Sequence, residues 1–364
     1  MFRYLSFRDF DWTLLVFILF LSGLGVLEIY SATYNTRFAG AHVRQVYWIL
    51  AGLGVMFLAS LVDYQALLER VHWIYIAALV SLVAVLLFGQ KYLGARRWIR
   101  LPGGAHFQPS EWAKLIVILA LAKFVSDLRQ RELSWPDLTK AGLIAGIPMF
   151  LILVQPDMGT ALTFVPILLM ALFLGGIRPR HAAVLGLAAL LLMPVAWKFG
   201  LKDYQKARLA SFINPESDPQ GSGYQVQQSL IAVGSGGIWG KGFLKGSQTQ
   251  GLFLPVTHTD FAFASLAEEQ GLMGALGVLL LYLMVLMRLV HNAQRAPDRA
   301  SSFIIMGVVA VLSFHVLVNV GMVVGFMPVT GIPLPLLSYG GSSVLLTYTS
   351  LGVVMNIRMR RFVN

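Results

Sequence analysis

Residues 12–32 read WTLLVFILFLSGLGVLEIYSA, a run of 21 residues whose single charge is Glu28. A helix rises about 1.5 Å per residue, so a run of this length crosses the ~30 Å hydrocarbon layer of a bilayer. The run lacks a small-residue cleavage site and reads as a retained first span, not a removed leader. Similar runs follow along the chain. Together they predict ten spans, at 12–33, 43–62, 71–90, 111–128, 139–155, 158–176, 181–199, 262–290, 301–325 and 341–357. Fusing the fifth and sixth would give nine. That would expose the carboxylate and proline-freed backbone of Gln155-Pro156-Asp157 to lipid, so a tight hairpin is expected there. The expected fold is therefore an all-α polytopic membrane protein, one integral membrane domain over residues 1–364. One long extracytoplasmic loop, residues 200–261, joins helices seven and eight.

Composition agrees. The 364 residues are 57% hydrophobic and 12% charged, against about 25% charged in soluble domains. Cysteine is absent, which excludes a disulfide framework, a thiol nucleophile and a Cys-ligated metal. A net charge of +11 in such a chain points to loops facing anionic membrane lipid, not to nucleic acid. Of the 28 Lys and Arg residues, 15 fall on the side shared by both tails, among them Arg3, Arg8, Arg129, Arg131, Arg358 and Arg361. Five of the other 13 sit in the long segment after Leu201, where charge has little topological weight. Both termini are thus expected in the cytoplasm.

The cations left on the outer side gather in two groups, Lys91, Arg96, Arg97, Arg100 and Lys114, and Lys202, Lys206, Arg208, Lys241 and Lys245. They suit either lipid headgroups or an anionic group received on the outer face. The long loop carries Tyr204, Phe212, Tyr224, Trp239, Phe243 and Phe253, enough apolar surface to pack, and a loop of this length is uncommon without a function. Its glycine cluster, residues 234–242, has two readings: a phosphate-directed backbone nest or a tight re-entrant turn. Pro109-Ser110-Glu111 reads as a helix start with Ser110 as N-cap. Glu111 and Lys114, spaced i, i+3, can pair. On a continuous helix Asp260 and Glu268 would lie about 12 Å apart along the axis, too far for a glycosidase carboxylate pair. Asp260 alone could be a general base, or the N-cap of the eighth helix. The stretch 328–343 holds three prolines within apolar sequence and reads as a re-entrant cavity wall. Ser338 stands outside any G-x-S-x-G context, which disfavours a serine hydrolase.

Five ordered motifs give the chain a specific resemblance. Arg97-Trp98; Gln108-Pro109-Ser110-Glu111; Gln155 to Thr160; His258-Thr259-Asp260-Phe261 with Glu268-Glu269; and Pro333 to Ser343 resemble the SEDS family of shape, elongation, division and sporulation proteins. The short tails are more similar to its RodA branch than to its FtsW branch. The resemblance implies a peptidoglycan glycosyltransferase in the cytoplasmic membrane that polymerises lipid II on the outer face, serving cell elongation and rod shape. A class B penicillin-binding protein would be the transpeptidase partner. It implies that Asp260 is catalytic and that Arg97 and Trp98 matter for activity.

The chemistry needs a base for the attacking sugar hydroxyl, cations for the departing diphosphate, and apolar helices for the prenyl tail. Asp260 is the expected base. Arg97, Lys114 and Arg208 are the expected diphosphate contacts, with Glu111 orienting Lys114. Asp157 is either a supporting group or the N-cap of the sixth span. His258 either orients Asp260 or is an ordinary loop histidine. Ser338, Ser342 and Ser343 line the groove or permit close helix packing. Glu28, His315 and Asn319 are expected to bond locally within their spans. No ligand spacing identifies a metal site; a Mg²⁺ or Mn²⁺ ion bridging the diphosphate is the one cofactor the chemistry would accept. The rival readings are a lipid II flippase, which needs access from both leaflets, and a non-catalytic scaffold of a cell-wall complex.

Overall fold

The computed structural model describes residues 9–92, 95–100, 106–128, 132–218 and 221–361. Arg3, Arg8, Gly94, Arg129 and Arg131 lie outside the described residues, as do the side chains of Lys91 and Arg100. In chain order the helices are α1 (Trp12–Thr33), α2 (Ala41–Leu61), the short α3 (Tyr64–Glu69) and α4 (Val71–Phe88). Three short strands follow, β1 (Gln90–Tyr92), β2 (Ala95–Arg100) and β3 (His106–Phe107). Then come α5 (Pro109–Ser126), α6 (Trp135–Val154), α7 (Met158–Leu162), α8 (Phe164–Gly175) and α9 (Pro179–Val195), which runs into a π-helical turn (Ala196–Gly200). The segment predicted as a long loop folds into α10 (Asp203–Ile213), α11 (Ser222–Gly236) and α12 (Ser247–Gln250). The chain closes with α13 (Ala262–Gln294), α14 (Arg299–Val323) and α15 (Gly341–Met359).

Every predicted span falls on a helix, and the sixth is divided at Thr163 into α7 and α8. Among the described residues, seven helices are long and apolar enough to cross a membrane, with α7 and α8 counted as one. The other three predicted spans differ in kind: α5 carries Glu111, Lys114 and Lys123, α9 has 17 residues, and α15 is rich in Ser, Thr and Gly. The count of ten therefore rests on the sequence. Gln155 and Pro156 form the expected turn between α6 and α7. Helices α14 and α15 are buried along most of their length and form the centre of the bundle. In α9, by contrast, His181 is the one buried residue.

One end of the bundle is closed by an ionic hub. Asp11, 0% exposed, N-caps α1 through Leu14 N at 3.2 Å. It also accepts from Arg288 at the end of α13 (2.9 Å), from Asn292 (2.8 Å) and from Arg358 at the end of α15 (2.5 Å). Arg360 pairs with Asp63 and Arg361 with Asp9, each at 2.8 Å. Both ends of the described chain thus meet at this end.

Two elements depart from the sequence reading. The stretch expected as an outer loop forms a small antiparallel sheet in the order β1-β2-β3, with Ile99 opposite Phe107 and Arg100 opposite His106. Alternation along a strand sends Arg96 and Arg97 to opposite faces. Arg96 donates to the carbonyls of Leu86 and Leu87 at 3.2 and 3.1 Å. It therefore satisfies the C-terminus of α4, as a basic residue favourably does there, and leaves the expected anion-binding group.

The second departure is a break in α13. Gly271 takes φ 68° and ψ −167°, a conformation essentially confined to glycine. The freed N–H groups of Leu272 and Met273 donate to the carbonyls of Gly237 and Ile238 at 2.9 and 3.1 Å. The N–H groups of Lys241 and Gly242 donate to the carbonyls of Glu268 and Glu269 at 3.1 and 2.9 Å. Of the two readings of the glycine cluster, the structure supports the turn: its backbone splints a broken helix.

Candidate active site

At the end opposite the ionic hub, four segments converge. The α6–α7 turn supplies Asp157. It caps α7 through Thr160 N (3.3 Å) and Thr160 Oγ1 (3.0 Å) and accepts from Gln108 Nε2 at 3.0 Å. Arg97, on the face of β2 opposite Arg96, lies 3.8 Å from Asp157 Oδ1 and donates to the Pro156 carbonyl. Arg97 Nε is buried with no hydrogen-bond partner among the described residues. Helix α10 supplies Arg208, which donates to the Thr330 carbonyl at 3.3 Å. Gly159 lets the α6–α7 turn approach this same carbonyl, since a Cβ there would lie 2.6 Å from it.

Asp260 faces this group. Its carboxylate Oδ2 lies 3.5 Å from where Gly331 would carry a side chain. Burial pushes the Asp260 carboxyl above the usual carboxylate range. The Thr259 hydroxyl and the positive charge of Arg208 oppose that rise, Asp157 adds to it, and Arg97 opposes it. Asp260 is not the N-cap of α13; that position is Phe261, with no side-chain cap bond. Instead its backbone carbonyl accepts from Asn319 Nδ2 at 2.8 Å, and the same nitrogen donates to the Ile332 carbonyl at 2.8 Å. The Asp260 backbone is thus fixed, while its side chain bonds to Thr259 and feels the arginines.

Glu111 and Lys114 sit apart from this cluster. Lys114 is 2% exposed and pairs with Glu111 at 2.9 Å. Its Nζ also lies 3.4 Å from His315 Nε2, and His315 Nδ1 contacts the Pro333 carbonyl at 3.0 Å. Glu111, Lys114 and His315, with Ser343 and Thr347, line a cavity of about 20 Å³ between α5, α14 and α15. The irregular segment Thr330–Pro335 joins the two sites, because its carbonyls serve Arg208, Asn319 and His315.

The remaining predicted residues sort as follows. Trp98 packs edge-on to His106 at 6.2 Å, and the His106 carbonyl accepts from Ser342 Oγ at 3.0 Å. Ser338 Oγ accepts from Leu334 N at 2.9 Å and closes a turn. His258 packs against the rings of Phe38 and Tyr339. Burial, helped by the charge of Arg44, holds its imidazole below the ordinary range. Glu268 is fully engaged. It accepts from Lys241 (2.7 Å), the N–H groups of Gln248 and Thr249 (2.8 and 3.0 Å) and Thr249 Oγ1 (2.9 Å). It anchors α12 and has no free oxygen for a second catalytic role. The predicted helix start also shifts: Gln108 is the N-cap of α5, and Ser110 accepts from its side chain at 3.1 Å. Metal-ligand geometry is absent among the described residues, with no group of three or more His, Asp or Glu.

The sequence reading missed three partners. Asn319 and His315 were expected to bond locally, yet reach the Asp260 loop and the Lys114 pair; Glu28 reaches Gln270 at 2.7 Å. Tyr204, taken only as packing surface, has its hydroxyl raised by burial and feels the charges of Arg97, Arg208 and Asp157. A polar side chain inside an apolar span is the signal that could have found the first two.

A multi-pass helical membrane protein with two carboxylates, Asp157 and Asp260, grouped with Arg97 and Arg208 at one bundle end defines the class. The chain belongs to the cell cycle protein family of FtsW, RodA and SpoVE, whose model matches residues 12–362. It is 39% identical to the peptidoglycan glycosyltransferase MrdB of Escherichia coli K12 over 354 residues, covering 96% of this chain and 94% of that one. It is 33% identical to the peptidoglycan glycosyltransferase RodA of Treponema pallidum, covering 97% and 98% of the two chains. Among solved structures, a chain of a peptidoglycan synthase complex coordinating polymerization and crosslinking superposes with a TM-score of 0.84 at 33% identity, covering 98% and 99%. The rod shape determining protein RodA of Thermus thermophilus gives a TM-score of 0.72 at 30% identity, covering 97% and 98%.

Proposed function

We propose that this protein is a peptidoglycan glycosyltransferase that polymerises lipid II. The observation that carries the reading is Asp260, backbone-pinned by Asn319, with its carboxyl under the influence of Arg208 and Arg97. The hydroxyl of one lipid-linked disaccharide attacks the anomeric carbon of another. Asp260 takes the hydroxyl proton, the new glycosidic bond forms with inversion, and the bond to the prenyl diphosphate breaks with its electron pair on the leaving phosphate. Arg97 and Arg208 counter the charge that develops there. A guest diphosphate also neutralises part of the arginine charge that lowers Asp260, which makes the carboxylate a stronger base at the moment it is needed.

On this reading the Asp260 end faces the cell exterior or periplasm and the ionic hub faces the cytoplasm, with ten spans between them. A class B penicillin-binding protein supplies crosslinking, and the role is elongation and rod shape. A Mg²⁺ or Mn²⁺ ion, if used, is carried largely by the diphosphate. Purified protein reconstituted with its transpeptidase partner, crosslinking blocked by penicillin, should convert lipid II into glycan strands. Folded Asp260→Asn protein should make none; full polymerisation by that variant would remove Asp260 as the base.

A further inference from the structure

Polymerisation brings two lipid-linked saccharides together, and the turn bearing Asp260 meets two sets of arginines. The Asp260 carboxylate feels Arg208 and Arg97. His258, two residues earlier, feels Arg44 instead, and its ring lies 4.9 Å from Phe38 and 5.8 Å from Tyr339. The Arg37 guanidinium stands 5.0 Å from the Phe38 ring centre, and that of Arg44 stands 6.0 Å from the Tyr339 ring centre. Both arginines are exposed, and neither makes an ion pair with a described residue. Phe38 is itself 37% exposed. The group around His258 is held rigidly. Tyr339 N donates to the His258 carbonyl at 2.9 Å, while buried Gln45 donates to the Ser338 carbonyl at 3.2 Å and accepts from Gly340 N at 3.4 Å.

This combination has a specific chemistry. Aromatic faces cover the apolar face of a pyranose, and a free guanidinium binds phosphate oxygens in a two-pronged fashion. The charges that act on Asp260 belong with the diphosphate that leaves, so the group around His258, with its own arginines, is left for the molecule that attacks. Resting on the glycosyltransferase reading above, we propose that Phe38, His258 and Tyr339 with Arg37 and Arg44 form the acceptor subsite. Its ligand is a prenyl-diphosphate aminosugar that presents its hydroxyl to Asp260.

The test separates donor from acceptor. The reconstituted enzyme with its blocked transpeptidase partner receives saturating lipid II whose terminal 4-hydroxyl is methylated, so that it can donate but not accept. Unmodified lipid II is then varied as acceptor. Arg44→Ala and Phe38→Ala should raise the acceptor KM about tenfold, with kcat and the donor KM held within about twofold. Arg44→Lys, which keeps charge without the planar fork, should recover only part of the loss. A rise in donor KM alone, a fall in kcat alone, or no change in any parameter overturns the assignment. So does a defect that disappears in pure phosphatidylcholine vesicles, since that would assign the arginines to bulk anionic headgroups. Because Arg44 is exposed, its variants keep the test valid if Phe38→Ala fails to fold. A parent enzyme that makes no glycan at all would instead sink the glycosyltransferase reading itself.

Discussion

Asp260 is placed where a carboxylate is costly to ionise, and that cost predicts both its catalysis and its effect on stability. Its removal as Asp260→Asn should lower polymerisation by about 10²–10⁴-fold, the usual range for a lost general base, as measured by glycan yield from lipid II. Burial raises its folded pKa above the ordinary value. Its contribution to stability is therefore fully present below the unfolded pKa and is lost as pH rises through the folded pKa. Asp260→Asn should then melt at or above the parent at neutral pH, with the difference closing toward about pH 4. The acid limb of the rate profile should likewise sit above the range of a free aspartate, because only the ionised form accepts a proton. A lower melting temperature for Asp260→Asn at pH 7 would contradict this account. Asp260, Arg97, Asp157 and Arg208 were legible in sequence because each is a charged residue beside a span. Asn319 was not, because its partners, the carbonyls of Asp260 and Ile332, are backbone atoms that no side-chain pattern reports.

At the scale of elements, the break in α13 organises the site. Its outer part, 262–270, is locked by Glu268 to α12 and by the glycine cluster to Gly271. Glu268→Ala would leave the N–H groups of Gln248 and Thr249 unpaired in a buried place, at about 1–3 kcal/mol for each buried unpaired group. A lowered thermal midpoint and faster proteolysis within residues 241–253 should follow. Gly271→Ala would force a side chain into a backbone region that costs about 1–3 kcal/mol, in addition to a clash with the Gly240 backbone; loss of folded yield is the expected result. The sequence presented 262–290 as one uninterrupted apolar helix, because a single glycine does not reveal whether its backbone turns. It likewise concealed β1-β2-β3, whose strands are short and hold Arg and Trp instead of an alternating apolar face. Span positions were legible to within a few residues because lipid demands long apolar runs; irregular backbone supported by other backbone leaves no such signature.

For the whole molecule, the fixed point is the hub at Asp11, where the first, eighth and tenth predicted spans end together. Asp11→Ala would strand Arg288 and Arg358. Breaking a buried pair costs about 3–5 kcal/mol, and the effect here should be somewhat less because both arginines retain solvent contact. Thermal unfolding in detergent measures this, and an unchanged midpoint would show that the hub is dispensable. The opposite condition holds at α9, which is exposed around nearly its whole circumference among the described residues. With the π-helical turn that continues it, the rod covers residues 179–200 and spans about 30 Å, close to the thickness of the hydrocarbon slab. Such a rod matches the slab only narrowly, and beyond the contact of His181 with the Trp135 ring few side chains hold it. Since α9 leads directly into the segment that carries Arg208, lipid chain length becomes an input to the enzyme: bilayers thinner or thicker than the rod should tilt or strain it, and glycan output should peak near the matching thickness with no change in any protein residue.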